Sequence, residues 1–408
     1  DNSPKRPVPS SDADEELEDE MQSHHFDPDD VQEDFIEEII EVDDVAHLED
    51  YPESDEEPPP AEEPESEPIR DDALLTFREH SGPVFCASFH PIEPLAVSGS
   101  EDDCAYVWRS DTGEVVHKCE GHSDTVVGAS FSHDGSYLAT GDLGGFLQVF
   151  RVSDAFKQVW HFNIGDMSWM KWHKASNVLM AGTESGEVYF WRIPSGDCKV
   201  LQSRNSKAEC GSLTCDARRM VVGYADGCVT LWDIKTATAL QTITVNAPLG
   251  HTDGVLCVAT DPEGSLFASG GSDGHLMIAS SAGPLGRITV GSSVECTAFA
   301  PAESLKLLAT GTLSGKVTVW DVTRQSPRCE CRDEDMSGVT ELLWMSDMTL
   351  LAATLDGSIK AFEGRSGQLK NSYLGHRREI YDMQMDKSGQ FLLTASEDGT
   401  AKIFRLTS

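Results

Sequence analysis

Four segments of the chain place histidine, serine or threonine, and aspartate at intervals that suggest nucleophilic chemistry. In the first segment His80 is followed 18 residues later by Ser98 and four residues after that by Asp102, and these are the side-chain types of a hydrolase triad. The interval of 18 residues returns three times, in the sets His122 with Thr140, His251 with Ser269 and Asp273, and His376 with Thr394 and Asp398. Because a chain needs a catalytic constellation only once, the repetition favours a structural hydrogen-bond network over catalysis.

An aromatic column lies six positions after the aspartates and ends a short strand of alternating residues. Its members are separated by 41 to 47 residues, and seven of the eight are aromatic. The column consists of Trp108, Phe150, Trp191, Trp232, Ala279, Trp320, Phe362 and Phe404. Glycine turns such as Asp226-Gly227 and Asp398-Gly399 precede the strands. Several short strands per unit of about 40–45 residues, separated by glycine turns, predict an all-β propeller with eight blades.

These columns resemble the repeats of the WD-repeat family. Trp232-Asp233 and Trp320-Asp321 are WD dipeptides, and Gly121-His122 and Gly375-His376 match the glycine–histidine pair of the family. The resemblance implies that each aspartate binds the histidine, which reaches the serine or threonine and, through it, the tryptophan. In the second unit Gly144 stands at the aspartate position. We expect these residues to stabilise the blades, and we expect no catalytic residue, no metal and no cofactor.

The acidic residues divide the chain into two parts. The 408 residues contain 70 Asp+Glu and 31 Lys+Arg, of which residues 1–72 alone contain 30 and 3, together with 10 of the 19 prolines. Such a segment buries too little apolar surface to offset the entropy of ordering, so we predict a disordered acidic tail over 1–72 and a propeller over 73–408. Within the tail, Phe35–Val42 is interpreted either as a short helix, formed on a partner or on the protein's own folded part, or as a chance apolar cluster.

The last unit lacks an outer strand, since only four residues follow Phe404. Residues 73–78, just before the first unit, contain Ala73, Leu75 and Phe77 in alternation with other residues. We predict that this N-terminal strand completes the last blade, because a closed ring leaves no exposed sheet edge.

One face of the predicted propeller is acidic. This top face carries the turns between the second and third strands of each unit and the loops that lead into the first strands. The turns contain ten acids and no Lys or Arg, and a ring of acids around a channel attracts cationic ligands. Leaving aside the aspartates of the hydrogen-bond network, the predicted partner-binding residues are Glu101, Asp103, Asp142, Glu184, Asp226, Asp356 and Glu397. The alternative is that the acids of this face are structural, as we expect for Asp102, Asp273 and Asp398 of the hydrogen-bond network, whereas Glu101, Asp103, Glu184 and Glu397 are freer.

A net charge of −39 excludes several classes of partner. Phosphate backbones and anionic lipid surfaces attract Lys and Arg, so direct binding of nucleic acid or membrane is not expected. No apolar run approaches the roughly 18 residues of a membrane span. The 11 cysteines follow no pairing pattern, which favours reduced thiols and a cytoplasmic location, with a nuclear or peripheral membrane pool left open. We expect a monomer whose partner is a basic protein or peptide segment.

Particular strings resemble one family of WD-repeat proteins, the angio-associated migratory cell protein family. They are residues 37–42, 132–142, 165–173, 194–199 and 221–224. The resemblance implies that fungal proteins similar to distant members hold a newly made, basic large-subunit ribosomal protein until it joins the pre-ribosome. In animals it implies a link with cell migration and angiogenesis. We therefore expect a non-enzymatic chaperone of a basic ribosomal protein in ribosome biogenesis. The alternative is a signalling or cytoskeletal scaffold, and no motif supports a third possibility, an enzyme.

Overall fold

The computed structural model describes residues 70–407 except 203, 246 and 302–305. The predicted disordered tail therefore lies outside the described residues up to residue 69, and so does Phe35–Val42. The described residues form eight four-stranded antiparallel sheets. Each sheet is one blade, and the first strand of each blade lies beside the first strands of the two neighbouring blades. The predicted all-β, eight-bladed propeller is confirmed.

The strands follow the chain in order, and within blades 1 to 7 they run from the innermost strand outward. Blades 1 and 2 consist of β2 (Val84–Phe89), β3 (Leu95–Ser100), β4 (Ala105–Arg109), β5 (Val115–Cys119), β6 (Val126–Phe131), β7 (Tyr137–Asp142), β8 (Phe146–Arg151) and β9 (Lys157–Asn163). Blades 3 and 4 consist of β10 (Met167–Trp172), β11 (Val178–Thr183), β12 (Val188–Arg192), β13 (Asp197–Leu201), β14 (Ala208–Leu213), β15 (Arg219–Tyr224), β16 (Val229–Asp233) and β17 (Thr238–Ile243).

The second half of the ring repeats this order. Blades 5 and 6 consist of β18 (Val255–Thr260), β19 (Leu266–Gly271), β20 (His275–Ser280), β21 (Gly283–Thr289), β22 (Val294–Phe299), β23 (Leu307–Thr312), β24 (Val317–Asp321) and β25 (Ser326–Cys331). Blades 7 and 8 consist of β26 (Val339–Trp344), β27 (Thr349–Thr354), β28 (Ile359–Glu363), β29 (Leu369–Tyr373), β30 (Ile380–Met385), β31 (Phe391–Ser396), β32 (Ala401–Arg405) and β1 (Ala73–Phe77). A 3₁₀ turn spans Val152–Asp154, and no helix within the described part of the chain is long and apolar enough to cross a membrane.

The N-terminal strand β1 closes the ring, as predicted. It pairs with β32 in antiparallel register, with Phe77 opposite Ala401 and Ala73 opposite Phe404. The contacts begin before residue 73, because the Asp71 carboxylate lies 2.6 Å from Lys402 Nζ and the Asp72 backbone N–H donates to the Leu374 carbonyl at 2.8 Å. Residues 71 and 72 thus belong with the propeller, two residues before the predicted boundary.

The aromatic column forms the core between neighbouring blades. All eight members are buried. At the closing junction Trp108 of blade 1 belongs to one apolar cluster with Phe77, Leu393 and Ile403 of blade 8, and its ring stacks on Phe77 at 4.8 Å between centroids. Because fully burying one large apolar side chain contributes roughly 1.5–3 kcal/mol, these junctions hold the blades together.

Two backbone features set the geometry of the top face. Gly227 in the turn between β15 and β16 has φ +84°, where a side chain would be strained. In addition, the pairing register shifts near the beginning of every first strand, as between Val84 and Cys86 in blade 1 and between Ile380 and Asp382 in blade 8. Such a bulge bends the strand and changes the direction of its side chains where it approaches the channel.

Candidate functional site: the acidic top face and the central cavity

The first histidine set forms a continuous hydrogen-bond chain in blade 1. His80 Nδ1 lies 3.1 Å from an Asp102 carboxylate oxygen, and His80 Nε2 lies 2.8 Å from Ser98 Oγ. Ser98 Oγ also accepts a hydrogen bond of 3.2 Å from Trp108 Nε1. The Ser81 backbone N–H donates to Asp102 at 3.0 Å, so the aspartate also fixes the loop that leads into β2.

Blades 5 and 8 contain the same chain of side chains. His251 lies 3.1 Å from Asp273 and 2.8 Å from Ser269. His376 lies 2.9 Å from Asp398 and 2.7 Å from Thr394. Ala279 and Phe404 stand at the tryptophan position in these blades, so no indole N–H donates to the hydroxyl there, and in blade 8 the Thr394 hydroxyl donates to the Lys402 carbonyl at 3.4 Å.

Blade 2 corrects the prediction for Asp142. The sequence predicts Asp142 as a partner-binding acid of the top turns, with Gly144 at the aspartate position of the network. In the structure Asp142 is buried, at 1% exposure, and its carboxylate lies 3.0 Å from His122 Nδ1. His122 Nε2 lies 2.8 Å from Thr140 Oγ1. Asp142 thus replaces the missing aspartate from two residues earlier in the chain, and it is not available to a partner.

The burial and hydrogen bonding of these histidine sets favour a structural role over catalysis. Ser98 is fully buried, and its oxygen already bonds both His80 and Trp108. Burial opposes ionisation of Asp102, but hydrogen bonds from His80 and Ser81 outweigh it and lower the pKa of Asp102. Burial lowers the pKa of His122 and of His251. Satisfied, buried groups of this kind define one packing arrangement of a blade, and Ser98 has no open path to a substrate.

The other top-face acids project from turns that are tied to rigid backbone. Glu101 and Glu184 are exposed, and Glu397 is half-buried. The backbone N–H of each donates to a carbonyl in the loop leading into the same blade, at 2.9–3.0 Å. Glu184 lies 3.6 Å from Lys207 Nζ, and Glu397 lies 3.1 Å from Arg378. Glu101 forms no ion pair with any described residue, so the three acids share a fixed turn backbone, and two of them are each paired with one basic residue.

The remaining predicted residues lie in turns of the top face and are exposed or half-buried. Asp226 and Asp356 also accept hydrogen bonds from their own turns. Asp226 is exposed while one of its oxygens accepts from the Cys228 N–H at 3.0 Å. Asp356 is exposed and binds the Thr354 hydroxyl and the Ser358 N–H. Asp103 is half-buried with φ +59°, a conformation that aspartate tolerates better than most residues. Both interpretations of these acids thus have structural support at the same residues.

The structure adds an aromatic pair that sequence reasoning missed. Phe85 of β2 and Tyr381 of β30 stack at 4.7 Å between centroids with 8° between ring planes. Burial, and then the charges of Glu379, Glu397 and Glu101, raise the pKa of Tyr381. Burial and the charge of Glu397 also raise the pKa of Glu379. A stacked aromatic pair beside several carboxylates offers both a face and counter-charges to a cationic side chain.

Below this pair lies a central cavity of about 620 Å³. It is lined by the first strands of blades 1, 2, 3, 7 and 8, including Lys171, Glu341 and Asp382. Phe85 and Tyr381 are second residues of their strands, and Glu341 and Asp382 are third residues. An alignment of the units on their first strands would have identified these acids. It would not have shown which of them face the channel, because the bulge breaks the alternation of side-chain directions. Within the described residues there is no group of three or more His, Cys, Asp or Glu that could hold a metal ion.

Comparison with known proteins finds a family match for four of the repeats and a relative for most of the chain. The WD40 family model (WD domain, G-beta repeat) matches residues 72–109, 113–151, 241–279 and 367–405. The four stretches end in β4, β8, β20 and β32. These strands belong to blades 1, 2, 5 and 8, which contain the histidine sets. Angio-associated migratory cell protein of Canis lupus familiaris is 38% identical over 354 residues, covering 82% of this chain and 80% of the relative.

Two further proteins are more distant. Ribosome assembly protein SQT1 of Saccharomyces cerevisiae is 21% identical over 383 residues, covering 83% of this chain and 88% of the relative. The crystal structure of Chaetomium thermophilum Sqt1 bound to the N-terminus of the ribosomal protein L10 is 20% identical with a TM-score of 0.76, covering 83% of this chain and 100% of that chain. The structural likeness is one of fold. The 38% identity to the canine protein, over 82% of this chain, shows that the chain belongs to the angio-associated migratory cell protein family of WD40 β-propellers.

Proposed function

We propose that the protein is a non-enzymatic chaperone whose acidic top face binds a basic segment of a ribosomal protein during assembly of the large ribosomal subunit. The observation that carries the proposal is the set of acids Glu101, Glu184 and Glu397 on turns of fixed backbone, together with the stacked Phe85–Tyr381 pair at the centre of the same face. Carboxylates attract a basic chain and speed its encounter, and aromatic faces bind its cationic groups.

Two lines of support are independent of this geometry. The net charge of −39 favours a basic protein or peptide over nucleic acid. The distant relative of the same fold is bound to the N-terminus of the ribosomal protein L10. We further infer that the chain acts as a monomer in the cytoplasm.

The alternative is a scaffold in cell migration, and the similarity to angio-associated migratory cell protein favours it. A scaffold holds several partners and has no requirement for a basic one. The two functions therefore differ in how strongly binding depends on the charge of the top face.

The test measures binding of a synthetic peptide with the N-terminal sequence of L10 to the full chain by isothermal titration calorimetry. We expect the triple variant Glu101→Lys, Glu184→Lys and Glu397→Lys to bind at least tenfold more weakly, about 1.4 kcal/mol. The melting temperature should change little, because ion pairs at exposed positions such as that of Glu184 contribute little to stability.

The matched control reverses three exposed acids on the opposite face, Glu93→Lys, Glu114→Lys and Asp154→Lys. Since it changes the net charge equally, it separates the top face from a general charge effect. Equal weakening by both variants, or full binding by the top-face variant, would contradict the proposal. Loss of binding in the control alone would favour a scaffold with its partner on the opposite face.

A further inference from the structure

Two acidic side chains on neighbouring first strands line the central cavity. Glu341 is the third residue of β26 and Asp382 the third residue of β30, and both follow the register shift near the beginning of their strands. The cavity of about 620 Å³ is also lined by Phe85 and Tyr381. The acids thus lie within the same cavity as the aromatic pair.

The carboxylate of Asp382 is held in place by the next blade, because it accepts a hydrogen bond of 2.8 Å from the Ala87 backbone N–H in blade 1. One oxygen of Glu341, Oε2, is buried and has no hydrogen-bond partner among the described residues. The same is true of Ser168 Oγ, which lines the same cavity. Two polar atoms of the cavity wall thus remain without a partner.

The basic residues of the cavity wall are engaged elsewhere. Lys171 Nζ donates to the Gly211 carbonyl at 2.9 Å, and Lys174 Nζ donates to the Leu213 carbonyl at 3.3 Å. Neither Glu341 nor Asp382 forms an ion pair with any residue that the structure describes. Burial, and the charge of Asp382, raise the pKa of Glu341. The charge of Lys171 opposes the rise in the pKa of Glu341 and of Asp382, although it forms no ion pair with either acid. Because buried carboxylates that lack an ion-pair partner destabilise a fold, an external cation would relieve this cost.

We propose that the cavity receives one cationic side chain, an arginine or lysine of a bound polypeptide, between Glu341 and Asp382. This inference rests on the proposed function and adds a specificity site to it. Two carboxylates suit a guanidinium, which can donate to both through its fork of N–H groups. They are too few for a protein-enclosed metal ion, which takes more ligands. The Phe85–Tyr381 pair lies on the wall that the entering side chain passes.

The first experiment tests the cavity without any client. N-acetyl-arginine methylamide is added to the full chain, and N-acetyl-citrulline methylamide serves as the neutral probe of similar shape. At probe concentrations of roughly ten times its dissociation constant, the arginine compound should raise the melting temperature measurably, since it binds the folded state only. The rise should disappear in Glu341→Gln and in Asp382→Asn. It should persist in Glu295→Gln, which removes the same charge from the first strand of blade 6. No rise in the parent, or an equal rise with citrulline, would overturn the proposal.

The second experiment identifies the client residue. The L10 N-terminal peptide and variants with single Arg or Lys residues replaced by citrulline or norleucine are titrated into the parent and into Glu341→Gln. We expect Glu341→Gln to bind the parent peptide about tenfold more weakly and to be insensitive to replacement of one particular basic residue. If the parent peptide binds and Glu341→Gln binds it equally, the cavity proposal fails while the proposed function stands. If the parent chain binds no peptide, the proposed function fails, and the arginine probe alone decides the role of the cavity.

A third measurement guards against misfolded variants. Glu341→Gln should melt at the same or a higher temperature than the parent in the absence of any probe, because it removes a buried charge that has no partner. A large fall in melting temperature would mean that Glu341 stabilises the free protein, and would contradict the proposal.

Discussion

At the scale of single residues, acidic side chains serve different purposes in this propeller. Asp142 and Glu184 occupy comparable top turns, yet the carboxylate of Asp142 bonds His122 and the Phe146 N–H at 2.8 Å, while Glu184 is exposed beside Lys207. The sequence could not separate them because the aspartate of blade 2 lies two residues from its usual position. Burial, and not residue type, decides which acids are available to a partner.

This difference yields a stability prediction. Asp142→Ala should lower the free energy of unfolding by about 1–3 kcal/mol, because it leaves His122 Nδ1 and the Phe146 N–H buried without a partner. Glu184→Ala should stay within about 0.5 kcal/mol of the parent. Urea unfolding of both variants measures the two values. Equal, small effects would return Asp142 to the class of free surface acids.

At the scale of elements, the closing strand β1 has two different faces. Phe77 is 2% exposed and stacks on Trp108, while Leu74 is 60% exposed. One strand thus both completes the sheet of blade 8 and fills the junction with blade 1. Its apolar residues do not contribute equally to that junction.

Phe77→Ala should therefore destabilise the full chain by about 3–5 kcal/mol, the cost of a large-to-small change in a packed core. Leu74→Ala in the same strand serves as the control and should change stability little. Differential scanning calorimetry gives the melting temperatures. Similar values for the two variants would show that the junction tolerates loss of the aromatic ring.

Much of the architecture could be predicted from the sequence because it repeats. The aromatic column and the glycine turns specify eight blades, and the missing outer strand of the last blade predicts β1. The contacts of Asp71 and Asp72 were missed because charged residues beside an acidic tail look like more of the tail. Glu341 and Asp382 were missed because the bulge at the beginning of each first strand breaks the alternation from which a buried face is normally predicted.

At the scale of the whole molecule, charge and shape act together. The exposed acids of the top turns lie on one face, around a cavity whose wall carries two more. A field built from many fixed charges acts over longer distances than any single contact and is weakened by salt.

Binding of the L10 N-terminal peptide should therefore weaken steeply with salt. Raising the ionic strength from about 0.1 M to about 1 M shortens the Debye length from about 10 Å to about 3 Å, so contributions from the rim should fall away while buried contacts persist. In Glu101→Lys, Glu184→Lys, Glu397→Lys the affinity should depend less on salt. Calorimetric titrations at both salt concentrations measure the two slopes. Affinity that is independent of salt in the parent would contradict an electrostatic top face.

The closing strand also sets a condition on how the protein is made. β1 leaves the ribosome before any blade, but its partner strand, β32, is the last strand of the ring to be synthesised. At translation rates of roughly 5–20 residues per second, β1 waits on the order of 15–65 s for β32. During that time the nascent chain exposes one unpaired strand and the edge of an open array, and both can pair with other chains. The protein that we propose as a chaperone of a newly made polypeptide therefore itself exposes unpaired strand edges until its synthesis is complete.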